Sequence, residues 1–272
     1  MMKRNLIFGL LATVLIMVAC GRKDADKTDE NAIDVSRKLP GDKLIYGLAC
    51  DGCSDSAVVF LPNEGGDPVT YNIVRAMRNK QVFGHPEIGD WVALLPNPDK
   101  KNEALMVIDL DQLKGTWTYQ VMPTLKESAI RTEKQINAEL TDSMRELLFV
   151  PREYGFTLKR HQQATSVGRV FRANSLSDES IVEYPPVTRY TEWRVFNGKL
   201  ILTKDTLDAT MQRLPEKDIQ RDTAEFVFMM GDTLALRMNG AVIGLHRQKN
   251  AEEANKKANE AAIKLAAKDT IK

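Results

Sequence analysis

Apolar positions fall along most of this chain in short runs broken by turn residues, the pattern of β-structure. Between residues 43 and 113 the stretches Lys43–Leu48, Ser56–Leu61, Val69–Val74, Trp91–Leu95 and Ala104–Leu110 are β-prone. Pro62-Asn63-Glu64-Gly65-Gly66-Asp67-Pro68, Gly89-Asp90 and Pro96-Asn97-Pro98 stand between them, and their Gly and Pro residues favour turns. Five short strands in about seventy residues predict a small N-terminal β domain, a barrel, OB-like among the options, or a sandwich.

From 114 to 248 the period changes twice. Thr124-Leu125-Lys126-Glu127, just after Pro123, fits a helix capping box. Ile136, Leu140, Met144 and Leu147 share one helical face until Pro151 ends the run. An inserted helix is therefore expected, followed by strands. Asn197-Gly198 separates Trp193–Phe196 from Lys199–Leu202, and Gly231-Asp232 separates Phe226–Met229 from Leu234–Leu236. Asn239-Gly240 then leads into Ala241–Ile243. Asn-Gly suits a type I′ turn, in which both central residues have positive φ. Successive hairpins predict an antiparallel meander, which loses its exposed edges by closing into a barrel. Residues 249–272 are rich in Ala, Lys and Glu, with Ala251, Ala254, Ala258, Ala261 and Leu265 at helical spacing. Alanine favours helix but packs weakly, so a solvated helical tail is preferred to a coiled coil.

The opening residues are different. Lys3 and Arg4 precede the apolar stretch Leu6–Ala19, which is 14 residues long. That is the length of a signal-peptide core and short of the ~20 residues that span a bilayer. Met17-Val18-Ala19-Cys20-Gly21 resembles a bacterial lipobox. The resemblance implies that residues 1–19 are a cleaved signal peptide, that Cys20 is lipidated, and that the new amine is acylated, as with palmitate. Two or three chains would anchor the protein stably, where one chain, at ~0.8 kcal/mol per buried CH₂, binds marginally. Gly21 replaces the Asp that retains many lipoproteins in the inner membrane, and Lys23-Asp24-Ala25-Asp26 resembles Bacteroidetes surface-export tags. These features imply an outer-membrane location, on the periplasmic or cell-surface face. Residues 20–42 read as a flexible tether, with no aromatic residue between 21 and 40.

Composition narrows the functional classes. Hydrophobic residues at 43% and charged residues at 28% exclude wholesale disorder. A net charge of +1, or −1 once Lys3 and Arg4 are removed, excludes a strongly basic nucleic-acid binder. With Cys20 used by lipid, Cys50 and Cys53 form an even pair in an oxidising compartment. A structural disulfide is the favoured reading of Cys50-Asp51-Gly52-Cys53. A metal site and a redox pair are the alternatives. Two thiolates leave a tetrahedral ion short of ligands, and His85, 32 residues beyond Cys53, is not placed beside them by the sequence. The β-prone flanks do not supply the helix N-terminus of a thioredoxin-like site. His85, His161 and His246 are scattered, and the chain contains no HExxH, Gly-x-Ser-x-Gly, GxGxxG or P-loop. No catalytic residue, metal or cofactor is nominated, and the chain is not expected to be an enzyme.

Two longer resemblances add to this reading. Leu113-Lys114-Gly115-Thr116-Trp117, Tyr154-Gly155-Phe156-Thr157-Leu158, Trp193 with Gly198-Lys199-Leu200-Ile201-Leu202-Thr203, Asp232-Thr233-Leu234-Ala235-Leu236 and Leu245-His246-Arg247-Gln248 occur in that order. Together they resemble the lipocalin-like domain common in Bacteroidetes lipoproteins, over about half the chain. The resemblance implies an up-and-down antiparallel β-barrel at 114–248. The segment 124–150 is an insertion relative to that family and is expected to cap the barrel mouth or fill it. Trp117, Phe156 and Trp193 are the aromatic candidates for the barrel interior. They could line an apolar ligand pocket, but core packing is favoured because small barrels are often filled by their own side chains. Ile45-Tyr46-Gly47-Leu48-Ala49-Cys50-Asp51-Gly52-Cys53 resembles the start of the NlpE family of envelope-sensing lipoproteins. The function expected is non-catalytic binding of a small apolar ligand or an envelope protein partner by a membrane-anchored lipoprotein. An envelope-stress or metal-homeostasis sensor and a structural or adhesion component of the cell surface are the alternatives. No nucleic-acid partner is expected.

Overall fold

A computed structural model describes residues 39–126, 141–170, 181–207 and 210–269. The leader, Cys20, most of the tether, and Ile136 and Leu140 lie outside the described residues. Six strands form an N-terminal sheet: β1 (Ile45–Ala49), β2 (Ala57–Pro62), β3 (Val69–Asn72), β4 (Val82–Phe83), β5 (Trp91–Pro96) and β6 (Ala104–Asp109). Their order is β3-β2-β1-β5-β6-β4. All neighbours are antiparallel except β4 and β6, and a parallel bridge from Asn72 to Glu103 brings β3 back to the start of β6. The sheet thus curls almost closed, with helix α1 (Val74–Arg78) between β3 and β4. This is the partly open Greek-key barrel expected of an OB-like domain. The sequence did not announce α1 or β4. Val74, read as the end of a strand, begins the helix instead.

The central strands of this sheet are apolar on both faces. Val92, Leu94 and Val107 join Val58, Phe60 and Ile73 in the domain's own core. Ala93 and Ile108, pointing the other way, join Leu44, Phe83 and Leu113 in a second core shared with Trp117, Val195, Leu200, Phe226 and Leu234. A strand buried on both faces reads as a continuous apolar run, which is why β5 and β6 lack alternation.

The second sheet contains eight strands. They are β7 (Gly115–Val121), β9 (Arg152–Leu158), β10 (Ala164–Val167), β12 (Tyr190–Phe196), β13 (Lys199–Lys204), β14 (Arg221–Met230), β15 (Thr233–Met238) and β16 (Ala241–Gln248). Their order, β10-β9-β7-β16-β15-β14-β13-β12, links chain neighbours and then the first strand to the last. Trp193 N–H donates to Gln162 O at 2.7 Å, and a bridge joins Gln163 to Glu192, so the two ends of the sheet meet. The result is the expected up-and-down barrel. The hairpin turns behave as their residues require: φ is +48° and +77° at Asn197 and Gly198, and +50° and +82° at Asn239 and Gly240.

The N-terminal domain closes one end of this barrel. Tyr46 Oη donates to Asp42 Oδ2 at 2.7 Å and lies 3.0 Å from Val195 O. Asn197 N–H donates to Asp42 Oδ1 at 3.0 Å, and Gly84 N–H donates to Met229 O at 2.8 Å. The Phe83 and Phe226 rings sit 5.2 Å apart. Asp42, assigned to the flexible tether by sequence, is therefore a buried joint residue. The connection near 110–115 is helix α2 (Leu110–Leu113), capped by Asp109 and held by Arg247, which donates to Gln112 O and Lys114 O at 2.6 and 2.8 Å.

The insertion is only partly helical among the described residues. Thr124–Leu125 forms strand β8, paired with β11 (Val182–Glu183) in a two-stranded ribbon, and does not cap a helix. Lys126 N–H donates to Ile181 O at 2.9 Å, so the backbone of the presumed capping box is spent on the ribbon. Among the described residues, helix α3 (Asp142–Leu148) follows, and Thr141 Oγ1 accepts from Met144 N–H at 3.3 Å at its start. It packs against the C-terminal helix α5 (Lys256–Asp269), which follows the short turn α4 (Ala251–Ala254) and buries Ala258 and Ala261.

Candidate functional site

At the barrel end away from the N-terminal domain lies a cavity of about 400 Å³. Every strand of the barrel contributes to its wall, including Tyr119 from β7, Phe156 from β9, Val167 from β10, Tyr190 from β12 and Lys204 from β13. Asp222 from β14, Met238 from β15 and Ile243 from β16 complete the ring. The period of two explains these positions. On β13 the buried Leu200 and Leu202 are followed two residues on by Lys204, and on β14 Asp222 precedes the buried Ala224 and Phe226 at the same spacing. The inward stripe is thus apolar toward the closed end and turns polar at the mouth. The volume falls in the range of small-molecule sites.

The polar groups at the mouth are ordered. Tyr190 Oη donates to Asp222 Oδ2 at 2.8 Å, and Lys204 Nζ pairs with Asp222 Oδ1 at 2.9 Å. Burial, reinforced by the Asp222 carboxylate, pushes the Tyr190 hydroxyl above its ordinary value. Tyr154 Oη donates to Pro185 O at 2.7 Å, and burial raises its pKa, opposed by nearby Arg152. The Phe156 ring meets Tyr190 edge-on at 6.3 Å. Tyr119 stands directly across from Tyr154 on the neighbouring strand. Among the described residues, the insertion places no side chain on the cavity wall; residues 127–140, on which the expectation of a cap or filling also rests, lie outside the described residues.

Of the three aromatic candidates, only Phe156 lines this cavity. Trp117 is 0% exposed, donates from Nε1 to Leu113 O at 2.7 Å and lies under the Arg247 guanidinium at 4.2 Å. Trp193 donates from Nε1 to Lys159 O at 2.8 Å and is also buried. Both indoles sit in the core shared with the N-terminal domain, in the packing role that was favoured over their alternative as ligand-lining residues. Tyr119, Tyr190, Lys204 and Asp222 were not foreseen as site residues. The available signal was a charged residue on each of two inward stripes.

Cys50 and Cys53 are free thiols, where a disulfide was expected. Each sulfur is directed at a backbone carbonyl: Cys53 Sγ lies 3.2 Å from Cys50 O, and Cys50 Sγ lies 3.9 Å from Leu48 O. Cys53 borders a second hollow of about 320 Å³ that also includes Met77, Phe83 and Phe228. His85 borders the same hollow, a proximity that sequence separation had discouraged. Among the described residues no group of three or more His, Cys, Asp or Glu side chains is placed to hold a metal ion. His246 Nε2 approaches Glu153 Oε2 and Thr118 Oγ1, both at 3.4 Å, and none of these residues lines the mouth cavity. Gln248 Nε2 also meets this nitrogen, at 2.7 Å, so these contacts fall on one ring nitrogen, whereas a nucleophile–histidine–acid relay needs a partner on each.

No family model and no curated protein matches this chain. Among solved structures it is similar to a lipocalin-like protein from Bacteroides thetaiotaomicron VPI-5482, with 17% identity over 50% of this chain and 95% of that one, and a TM-score of 0.25.

Proposed function

We propose that this chain is a membrane-anchored envelope lipoprotein whose barrel binds a small molecule without transforming it. The cavity ringed by all eight strands carries this reading. A barrel built only as a scaffold gains by filling its interior with side chains. This barrel is filled at the end sealed by the N-terminal domain and left open at the other. The polar mouth groups pair with one another at fixed distances, so the opening is pre-shaped and a ligand need not organise it. The lipobox-like Met17-Val18-Ala19-Cys20-Gly21 supports the anchor.

Native mass spectrometry of the protein extracted from its own membrane tests both parts. The expected spectrum shows the mass of a chain beginning at an acylated Cys20 and a non-covalent adduct that leaves on denaturation. An intact leader refutes the anchor, and the absence of any adduct across gentle extraction conditions refutes the binding role.

A further inference from the structure

The charges in the mouth cavity restrict what it can hold. Among the described residues, Lys204 and Asp222 are the cation and the carboxylate on its wall, and they neutralise each other at 2.9 Å. Both Asp222 oxygens are engaged, one by Lys204 and one by the Tyr190 hydroxyl at 2.8 Å. Their side chains are only 31% and 18% exposed, so water screens them poorly. The next pair out, Arg189 with Asp205 at 3.0 Å, is likewise internally matched. An incoming carboxylate would find no unspent cation among the described wall residues and would stand beside Asp222. An incoming ammonium would stand beside Lys204. The rest of the wall offers flat aromatic faces from Tyr119, Tyr154, Tyr190 and Phe156. The Tyr119 hydroxyl, on the wall, can both donate to and accept from a ligand hydroxyl.

Resting on the binding role proposed above, we infer that the cavity selects an uncharged, ring-bearing molecule carrying a hydroxyl group, and that the Lys204–Asp222–Tyr190 cluster is the filter that rejects fatty-acid-like carboxylates and amines alike. The cluster acts by opposing each sign of charge with a like charge already in place. Specificity of this kind comes from a penalty on the wrong ligand as much as from attraction to the right one.

Three probes that share a ring and differ at one end test this: naphthyl-ethanol, naphthyl-acetate and naphthyl-ethylamine, titrated calorimetrically against the full-length protein at neutral pH. The alcohol is expected to bind about tenfold or more tightly than either charged analogue. Asp222→Asn should narrow the gap between acetate and alcohol by about tenfold, and Lys204→Met should narrow the gap for the amine instead. The two substitutions act in opposite directions, so either one carries the test if the other fails to fold. Equal affinity of the parent for all three probes, or discrimination that neither substitution alters, overturns the filter while leaving the binding role standing. Binding of none of the three overturns both.

Discussion

At the scale of single residues, the least comfortable side chain is Asp109. It is 0% exposed, and its Oδ1 accepts from Asp111 N–H and Gln112 N–H at 3.0 and 2.9 Å. Its Oδ2 has no hydrogen-bond partner among the described residues. Burial, with the nearby carboxylates of Asp90 and Asp111, outweighs these two donors and lifts its pKa from 3.8 to about 7. The folded protein therefore holds a proton that the unfolded chain has already released. The Asp109 contribution to stability is full below pH 3.8, declines as pH rises toward about 7, and is level above it. Asp109→Asn keeps an oxygen for the helix cap and removes the charge. It should match the parent near the bottom of that window and exceed it above the window by roughly 1–3 kcal/mol, at about 1.4 kcal/mol per pKa unit. Urea titrations at both ends of the window measure this, and an equal effect at the two ends would contradict it. Nothing in the sequence around Asp109 distinguishes it from Asp111. Only the packing of β6 against the barrel makes one buried and the other half-exposed. Lys204 and Asp222 were more legible, since each breaks an apolar stripe of period two.

Among elements, β9 shows how the barrel manages an incomplete strand. Strand β10 pairs only with Gly155–Leu158, so Arg152–Tyr154 lack a strand on that side. The Asn255 carboxamide takes the place: its Oδ1 accepts from Glu153 N–H at 2.9 Å and its Nδ2 donates to Glu153 O at 2.8 Å. This side chain, 4% exposed, pins the C-terminal helix to the barrel. Asn255→Ala strands two buried backbone groups, at a cost of about 1–3 kcal/mol each if water cannot reach them. Hydrogen exchange of residues 256–269 should become markedly faster, with β13–β15 unaffected. Unchanged protection of the helix would show that Ala258 and Ala261 hold it alone. Periodicity gave the helix but could not give its anchor, because the bond joins residues far apart in the chain. The Asn-Gly hairpins were readable because their turn chemistry is local. The opening of the insertion was misread for the converse reason: Thr124-Leu125-Lys126-Glu127 has the local features of a cap, and pairing with Val182–Glu183 overrides them.

Over the whole molecule, the two β domains behave as one body because they share a core. Phe83, Ala93 and Ile108 from the first seal the end of the second against Trp117, Val195 and Phe226. Exposing that face would cost about 25 cal/mol for each Å² of apolar surface uncovered. Variants retaining only Trp91, in the N-terminal domain, or only Trp193, in the barrel, should therefore report coincident urea transitions. Separate midpoints would mean that the domains unfold independently. Composition and hairpin spacing foretold two β units, but not this union, since a strand buried on both faces announces its burial without naming its second partner. The union also directs function: sealing one end leaves the mouth as the barrel's way in. The most direct test of that conclusion is a nitrogen–proton NMR titration of the folded protein with naphthyl-ethanol. Saturable shift changes confined to the mouth, at Tyr119, Tyr190, Lys204, Asp222 and Ile243, are the predicted result. Changes centred instead on the hollow beside Met77 and Phe228, or no saturable change anywhere, would contradict it.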